Sequence, residues 1–322
     1  MMTLGEIYEK AIMMGTAADP RGFEGVKKLL ARRKDEYEEL PTLKKEEFDL
    51  EDLHNPYADS RILLGDHKLT VDKVMAGIDI TSAEVVLADS LNKRGSKTID
   101  LLLAHHPVGA PLAALHEVME LQADLMANYG VPINVAEGLM ADRISEVQRR
   151  FSPRNHNQAV DAARLLGFAI MCTHTITDNL VFDFLEKLFQ KHPADTVGDV
   201  VKILKAVPEY QEAIRGKAGP IIFAGSEKNR AGRVAPIEIT GGTEASEAIY
   251  EKLAIAGVGT IVGMHAAEEH RKECQKYHMN LVIAGHMSSD SLGMNLFLDE
   301  LEKSGIEIVP CSGLIRVRRS AK

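Results

Sequence analysis

Short apolar runs alternate along this chain with longer stretches in which apolar residues recur at helical spacing. KVMAGIDI is one such run, and it is followed by SAEVVLADSLNKRG, whose helical pattern ends at Gly95. The first pattern is typical of buried strands and the second of helices. Because strands that alternate with helices usually form a largely parallel sheet covered by helices, the pattern predicts an α/β fold.

The same pattern divides the chain into three parts. Residues 1–55 carry two helical stretches and are predicted to form an N-terminal helical extension. Residues 56–215 are predicted to form a first α/β half, with a helical insert near 111–165. After a joint rich in glycine, residues 216–322 again alternate strand with helix and are predicted to form a second α/β half.

Three apolar runs end in potential metal ligands at the point where a helical stretch begins. They are DLLLAHHP with His105 and His106, FAIMCTHTITDN with His174 and Asp178, and LVIAGHMSSDSLG with His286 and Asp290. Loops that follow parallel strands converge at the carboxyl ends of those strands. Imidazole and carboxylate suit zinc, manganese or iron, and a pair of such ions polarises one substrate from two sides. The motifs predict a two-metal site at the C-terminal ends of strands.

The residue types also predict which of the two metal ions each ligand binds. Neighbouring residues of a regular strand face opposite sides, so His105 and His106 diverge at the strand exit, and we expect one for each metal. Asp178 is predicted to bridge the metals or to bind either one. Asp178 and Asp290 also lie near predicted helix starts, where a carboxylate can cap backbone amides instead. For His174 we favour orienting Asp178 over direct ligation.

Two further features leave alternatives open. His265 and Glu269 form another step from strand to helix and compete for membership of the site, although their spacing matches no zinc-protease motif. Gly241 and Gly242 lie between a strand and a helix. They serve either as a tight turn, which we favour, or as backbone amides that contact a phosphate.

Composition narrows the classes of partner and compartment. The 322-residue chain has a formal charge of -9, which argues against nucleic acid as the main partner, although the basic residues within 316–319 can contact anions locally. It has no apolar run of about 20 residues that would span a membrane, and its N-terminus lacks the pattern of a secretory signal. Cys172, Cys274 and Cys311 are scattered and odd in number, as expected for reduced thiols in a cytoplasmic protein.

Together, the three motifs resemble the signature of the Nif-three-like family, whose members are also described as GTP cyclohydrolase I type 2-like. That signature has a strand ending in HHP, a later HTxxD and a C-terminal GHxxSE, which correspond here to residues 105–107, 174–178 and 285–290. The resemblance covers residues 56–322. It departs at the last motif position, where Asp290 replaces the family's glutamate and shortens the side chain by one methylene.

The resemblance implies a set of ligands and an architecture. By position, the ligands would be His105, His106, Asp178, His286 and Asp290. The family also implies two related α/β halves around two divalent metal ions. It further implies a homo-oligomer, with a hexameric ring as one form that such an assembly takes.

Two functional hypotheses follow, from different classes. The first is a dinuclear metal-dependent hydrolase that acts on a small molecule, a nucleotide or related heterocycle, through a metal-activated water. In this hypothesis His174 orients the site or transfers a proton. The alternative is a non-catalytic metal-binding protein with an interaction or regulatory role, whose ions hold the two halves together. An exchangeable water facing an open pocket separates the two, because closed structural sites lack one.

Overall fold

The computed structural model describes residues 1–95 and 98–319. Its strands are β1 (Met2–Thr3), β2 (Ile62–Leu64), β3 (Thr70–Val71), β4 (Lys73–Gly77), β5 (Leu101–Ala104), β6 (Ala169–Cys172), β7 (Ile221–Ala224), β8 (Arg233–Glu238), β9 (Val258–Gly263), β10 (Asn280–Ile283) and β11 (Glu307–Cys311). Its α-helices are α1 (Leu4–Ala17), α2 (Gly22–Glu39), α3 (Thr42–Glu47), α4 (Ser82–Arg94), α5 (Ala110–Ala113), α6 (Glu120–Asn128), α7 (Ile133–Phe151), α8 (Gln158–Leu166), α9 (His174–Lys191), α10 (Val197–Lys205), α11 (Pro208–Arg215), α12 (Ile249–Ile255), α13 (Glu268–Lys276) and α14 (His286–Lys303). Short 3-10 helices span Leu50–Leu53 and Leu115–Met119.

Two main sheets confirm the predicted α/β fold with two halves. In the first sheet the strand order is β11-β4-β5-β6-β2, and all neighbours are parallel except the edge pair β6 and β2. In the second the order is β7-β10-β9-β8, with β7 antiparallel at the edge. The central strands of both sheets are almost continuously apolar, because helices cover them on both faces.

The two sheets are interleaved in the sequence. After leaving the second sheet, the chain forms α14, which packs against α9, and then β11, which pairs with β4 of the first sheet. The last strand therefore belongs to the sheet of the first half. The boundary predicted at residue 216 stays a prediction about domain organisation.

The helices predicted within residues 1–55 are present, and the first of them is part of the core. Thr3 and Glu6 form a capping box that starts α1. Leu4 and Ile7 on this helix are fully buried and pack in the cluster beneath the first sheet. Helix α1 also packs against α9. The N-terminal helix thus supports one of the elements that carry the candidate ligands.

The helical insert predicted near residues 111–165 is also present, as α5 to α8 and a 3-10 helix. Helices α6 and α7 pack on each other and contribute to the core of the second sheet, whereas α8 packs beside α4. The insert therefore contributes to the packing of both sheets. Among the described residues, no helix has the length and apolar character needed to cross a membrane.

The basic C-terminal tail is neutralised within the fold. Arg316 lies 2.5 Å from Asp299 and 2.8 Å from Glu302, both on α14. Arg319 lies 2.5 Å from Glu209. The sequence allowed these basic residues to contact anions locally. Because their guanidinium groups are already paired within the protein, they are poorly placed to bind external anions.

Candidate metal centre

The parallel strands of the first sheet end level with one another. Gly77 of β4 lies opposite Ala104 of β5, which lies opposite Cys172 of β6. Side chains that follow these strands by one or two residues therefore emerge at the same edge of the sheet. They are Asp79, His105, His106 and His174.

The second sheet presents a matching edge. Glu238 of β8 lies opposite Gly263 of β9, which lies opposite Ile283 of β10. His265 and His286 follow the last two of these strands. Residues from both edges line a narrow cavity of about 20 Å³, which is room for about one water-sized group.

Two helices bring carboxylates into the space between the sheets. Helix α9 starts at His174 and α14 starts at His286, and in each the aspartate of the motif comes four residues later on the same helical face. Gly293 allows the two helices to approach closely, because a Cβ there would lie 2.3 Å from the carbonyl oxygen of Thr177. Asp178 and Asp290 lie inside the helices and are not N-cap residues.

These side chains form three overlapping groups in which the potential ligand atoms lie within 4.8 Å of one another. The groups are His105 with His106 and His174, His106 with His286 and Asp290, and His105 with Asp178 and Asp290. The structure therefore brings together all five predicted ligands and His174. Their role as metal ligands stays a proposal, because these distances describe how the side chains are arranged and not the binding of an ion.

Asp290 is the carboxylate shared between two of these groups. Its Oδ1 lies 3.5 Å from Nε2 of His105, and its Oδ2 lies 3.4 Å from Nε2 of His106 and 3.6 Å from Nε2 of His286. Asp178 lies on one side only, 3.5 Å from His105 and 3.9 Å from His174. The geometry thus favours Asp290 for a bridging role, and the predicted role of Asp178, to bridge the metals or to bind either one, stays a prediction.

The carboxylate oxygens fit a metal ion because they are buried without hydrogen-bond donors. Both oxygens of Asp290 and Oδ1 of Asp178 have no partner, a state that costs free energy unless a cation compensates it. Although burial opposes its charge, the imidazoles of His105 and His106 hold the pKa of Asp290 well below its usual range. Burial and the neighbouring Asp290 raise the pKa of Asp178 well above its usual value.

Three histidines of the first half are each held through Nδ1. His105 bonds to Thr177 Oγ1 at 2.9 Å, and the Thr177 hydroxyl itself donates to a backbone carbonyl. His106 bonds to Asp79 at 2.8 Å and His174 to Asp59 at 2.8 Å. If Nδ1 donates in each case, Nε2 keeps its lone pair and faces the carboxylates, as in carboxylate–histidine–metal arrangements. The same arrangement makes His174 suitable as a direct ligand.

These contacts identify residues that the sequence analysis missed. Asp79 follows the apolar run of β4 as the motif histidines follow theirs, so the same strand-end pattern was a usable signal for it. Asp59 lies in an irregular segment after Asn55 and Pro56, where no periodicity marks it. Thr177 lies inside the second motif, but a threonine on a helix has no distinguishing signal.

The sequence left the roles of four residues in the second half open, and their positions in the structure distinguish between the alternatives. They are His265, Glu269, Gly241 and Gly242. The His265 ring lies 4.6 Å from the His286 ring and bonds to Glu244 at 2.8 Å, so it borders the site. Glu269 lines a separate surface groove. Gly241 and Gly242 both have positive φ, +90° and +94°, which is the conformation of a tight glycine turn.

A wider groove of about 380 Å³ adjoins the narrow cavity. His174, Gly242, Thr243, His265 and His286 line both spaces. The groove also has an apolar wall and one arginine from the helical insert, formed by Leu112, Leu115, Phe151 and Arg154. Its volume lies within the range of about 300–1,000 Å³ that is usual for small-molecule sites.

Known structures share this fold. The chain is similar to the crystal structure of a NIF3 superfamily protein from Sphaerobacter thermophilus, with 26% identity and a TM-score of 0.69, over 80% of this chain and 92% of that chain. The fold is that of a Nif3-like family. This similarity confirms the resemblance that the three motifs predicted.

A second structure with this fold is less similar. Reduced HcgD from Methanocaldococcus jannaschii shares the fold at 16% identity and a TM-score of 0.50, over 83% of this chain and 94% of that chain. No protein-family model and no curated protein matches the chain. The NIF3 fold and the buried histidine and aspartate groups together fit a metal-binding protein.

Proposed function

We propose that the protein is a dinuclear metal-dependent hydrolase that acts on a nucleotide or related heterocycle. The observation that carries this proposal is the position of Asp290, whose two buried oxygens face different histidines and have no hydrogen-bond donor. A carboxylate shared in this way is suited to bridging two cations. Nitrogen and oxygen donors without thiolates favour zinc, manganese or iron.

The described residues divide between two ion positions. His105, Asp178 and one oxygen of Asp290 would hold the first ion, and His174 is placed to join them. His106, His286 and the other oxygen of Asp290 would hold the second. When bound, such ions acidify water and neutralise negative charge that develops on a substrate.

The protein's own groups supply orientation and proton transfer. Thr177, Asp79 and Asp59 fix the rings of His105, His106 and His174, which keeps the ligand atoms aimed at the cavity. His174 was predicted as the catalytic histidine. Because its Nε2 faces Asp178, 3.9 Å away, we infer that a role in holding an ion competes with proton transfer at this position.

The space around the centre is consistent with a substrate that approaches from one side. The cavity between the sheets has room for about one water-sized group, whereas the adjoining groove is about 380 Å³. A substrate in the groove would present its reacting atom to a water in the cavity. Displacement of bulk water by such a substrate strengthens electrostatic interactions within the site.

Hydrolysis of a panel of nucleotides and heterocycles by metal-loaded protein tests the proposal. We expect turnover that His106→Ala abolishes, because this change removes a donor from two of the three ligand groups. His192→Ala is the matched control, since this exposed histidine on the same chain lies outside the site. Circular dichroism of both variants establishes that they are folded. Turnover that survives His106→Ala in a folded protein contradicts the proposal.

The small size of the cavity favours a second candidate, a non-catalytic metal-binding protein with an interaction or regulatory role. In this case the ions would hold α9 and α14 together, since each helix contributes an aspartate. Stable metal binding with no turnover and no exchangeable water at the ions supports it. The homo-oligomer, the hexameric ring and the cytoplasmic location implied by the sequence stay predictions.

A further inference from the structure

The groove beside the metal centre receives an arginine from the helical insert. Arg154 follows α7 in the loop that leads to α8. Its guanidinium lies 4.4 Å from the centroid of the Phe151 ring. Stacking of this kind holds the guanidinium plane in place while leaving its N–H groups available at the edge. The insert thus positions a fork of donors at the groove.

Arg154 has no carboxylate partner among residues 1–95 and 98–319. Another arginine of the insert, Arg143, is by contrast paired with Glu146 at 2.9 Å and with Glu244 at 3.6 Å. Of the residues that line the groove, as far as the structure describes them, Arg154 is the only lysine or arginine. An unpaired guanidinium is suited to bidentate binding of one phosphate.

Apart from Arg154, Asp79, two threonines and the histidines of the metal centre, the wall of the groove is largely apolar. Leu112, Leu115 and Phe151 line the groove together with Val108 and Pro107. Such a surface can cover the face of a planar ring, whose burial is favourable in proportion to its apolar area. The groove therefore combines a surface for a base, one cation for a single phosphate, and the histidines of the metal centre.

We propose that the groove binds a nucleoside monophosphate, with its phosphate on Arg154 and its base against the apolar wall. This inference rests on the proposed function, because it names the substrate class of the same site. A single guanidinium matches a single phosphate group in charge and in number of donors. The insert, rather than the metal centre, then determines the specificity for the charged end of the substrate.

Calorimetric binding of GMP and guanosine to manganese-loaded protein tests this proposal, since the two probes differ by one phosphate. We expect GMP to bind the native protein more tightly than guanosine. Arg154→Gln should weaken GMP binding roughly tenfold or more and leave guanosine binding unchanged, as expected for loss of a charge-assisted hydrogen bond. Arg154→Lys should give an intermediate affinity for GMP, because it keeps the charge without the fork.

Arg150→Gln is the matched control. It removes the same charge from the same insert, but Arg150 lines the neighbouring surface groove with Asp142 and Glu146. We expect it to leave GMP binding unchanged. Equal effects of Arg150→Gln and Arg154→Gln would overturn the proposal, as would equal affinity of the native protein for GMP and guanosine, or no binding of either probe.

These experiments test the nucleoside monophosphate inference and the hydrolase proposal separately. If GMP binds through Arg154 but no member of the hydrolysis panel is turned over, the inference stands and the hydrolase proposal fails. If turnover requires His106 while Arg154→Gln leaves GMP binding unchanged, the hydrolase proposal stands and the inference fails. The binding measurement needs no reaction, so it reports on the groove alone.

Discussion

The two halves present histidines at equivalent strand ends, but they hold them differently. In the first half, His105, His106 and His174 each bond through Nδ1 to a neighbouring side chain. In the second half, His286 has no such partner among the described residues, and its side chain is 39% exposed. His105 is 1% exposed. The first half therefore holds its candidate ligand histidines in place, whereas His286, the candidate ligand histidine of the second half, is more exposed and is held through Nδ1 by no side chain among the described residues.

The carboxylates follow the same division. Asp178 lies on α9, directly after the first sheet, and its pKa is raised by burial, so without a cation it tends towards its neutral form. Asp290 lies on α14, after the second sheet, yet faces histidines of the first half. Asp290 is thus a carboxylate of the second half that reaches the ligands of the first half. Substitutions of candidate ligands in the first half and in the second half should therefore have unequal effects on metal binding.

The largest effect is expected from Asp290→Asn. The amide keeps the shape but lacks the charge that both ion positions share, so metal content should fall from about two ions per chain to nearly none. Elemental analysis of the purified protein measures this. Asp183→Asn on α9 is the control, because Asp183 pairs with Lys187 outside the site. Retention of both ions by Asp290→Asn would show that the carboxylate does not bridge.

The next largest effect separates the halves directly. His105→Ala should remove one ion, because this buried ring belongs to two of the ligand groups and cannot be replaced by solvent. His286→Ala should weaken the other ion without removing it, since water can occupy the position of an exposed donor. Titration of metal-free protein with Mn²⁺ compares the two affinities. A larger loss for His286→Ala would reverse the division proposed between the halves.

The strand-end pattern explains why most of the candidate ligands could be predicted from the sequence. An apolar run followed by His106 or His286 specifies both the strand and the edge at which the side chain emerges. Asp59 could not be found in this way, because its contact with His174 joins residues 115 positions apart through an irregular segment. The close approach at Gly293 that lets Asp290 reach the first half is likewise a tertiary feature.

The fold was predictable to a similar extent. Helix α4 starts directly after the capping box of Thr81 and Glu84 and ends at Arg94, directly before the predicted stop at Gly95. The pairing of β11 with β4 could not be inferred, since strand order depends on packing of distant segments rather than on local periodicity.

A smaller effect is expected from the residues that hold the rings. Asp79→Asn should weaken metal binding about 10- to 100-fold, the usual cost of removing a carboxylate that orients a ligand histidine. Glu244→Gln removes the equivalent contact from His265 in the second half and should have little effect, because His265 belongs to none of the ligand groups found among the described residues. The same Mn²⁺ titration compares the two variants. Similar losses would place His265 among the ligands.

The smallest effect is expected for the pH dependence of metal binding. In the metal-free centre, a proton on His106 takes the place of a cation. Although burial opposes its charge, the carboxylates of Asp290 and Asp79 raise the pKa of His106 to about 10. The ring is therefore protonated at pH 8, where an ordinary histidine is neutral. A bound ion requires the neutral ring, so binding should release about one proton from His106 in addition to any proton held by Asp178, and affinity should rise at least tenfold per pH unit from pH 7 to 9.

Calorimetry of Mn²⁺ binding in two buffers with different ionisation enthalpies measures the released proton at pH 8. Because the stabilising charge on His106 is present below pH 6.5 and lost only as the pH rises through about 10, metal-free protein should also lose stability over that range. Asp79→Asn should reduce both effects by lowering the pKa of His106. Glu244→Gln should leave the proton release unchanged, since Glu244 acts on His265, and should remove only the part of the stability change that His265 contributes, because Glu244 helps to raise the pKa of that histidine against the effect of burial. Absence of proton release at pH 8 would mean that His106 is already neutral, and the contrast between the halves would then rest on burial alone.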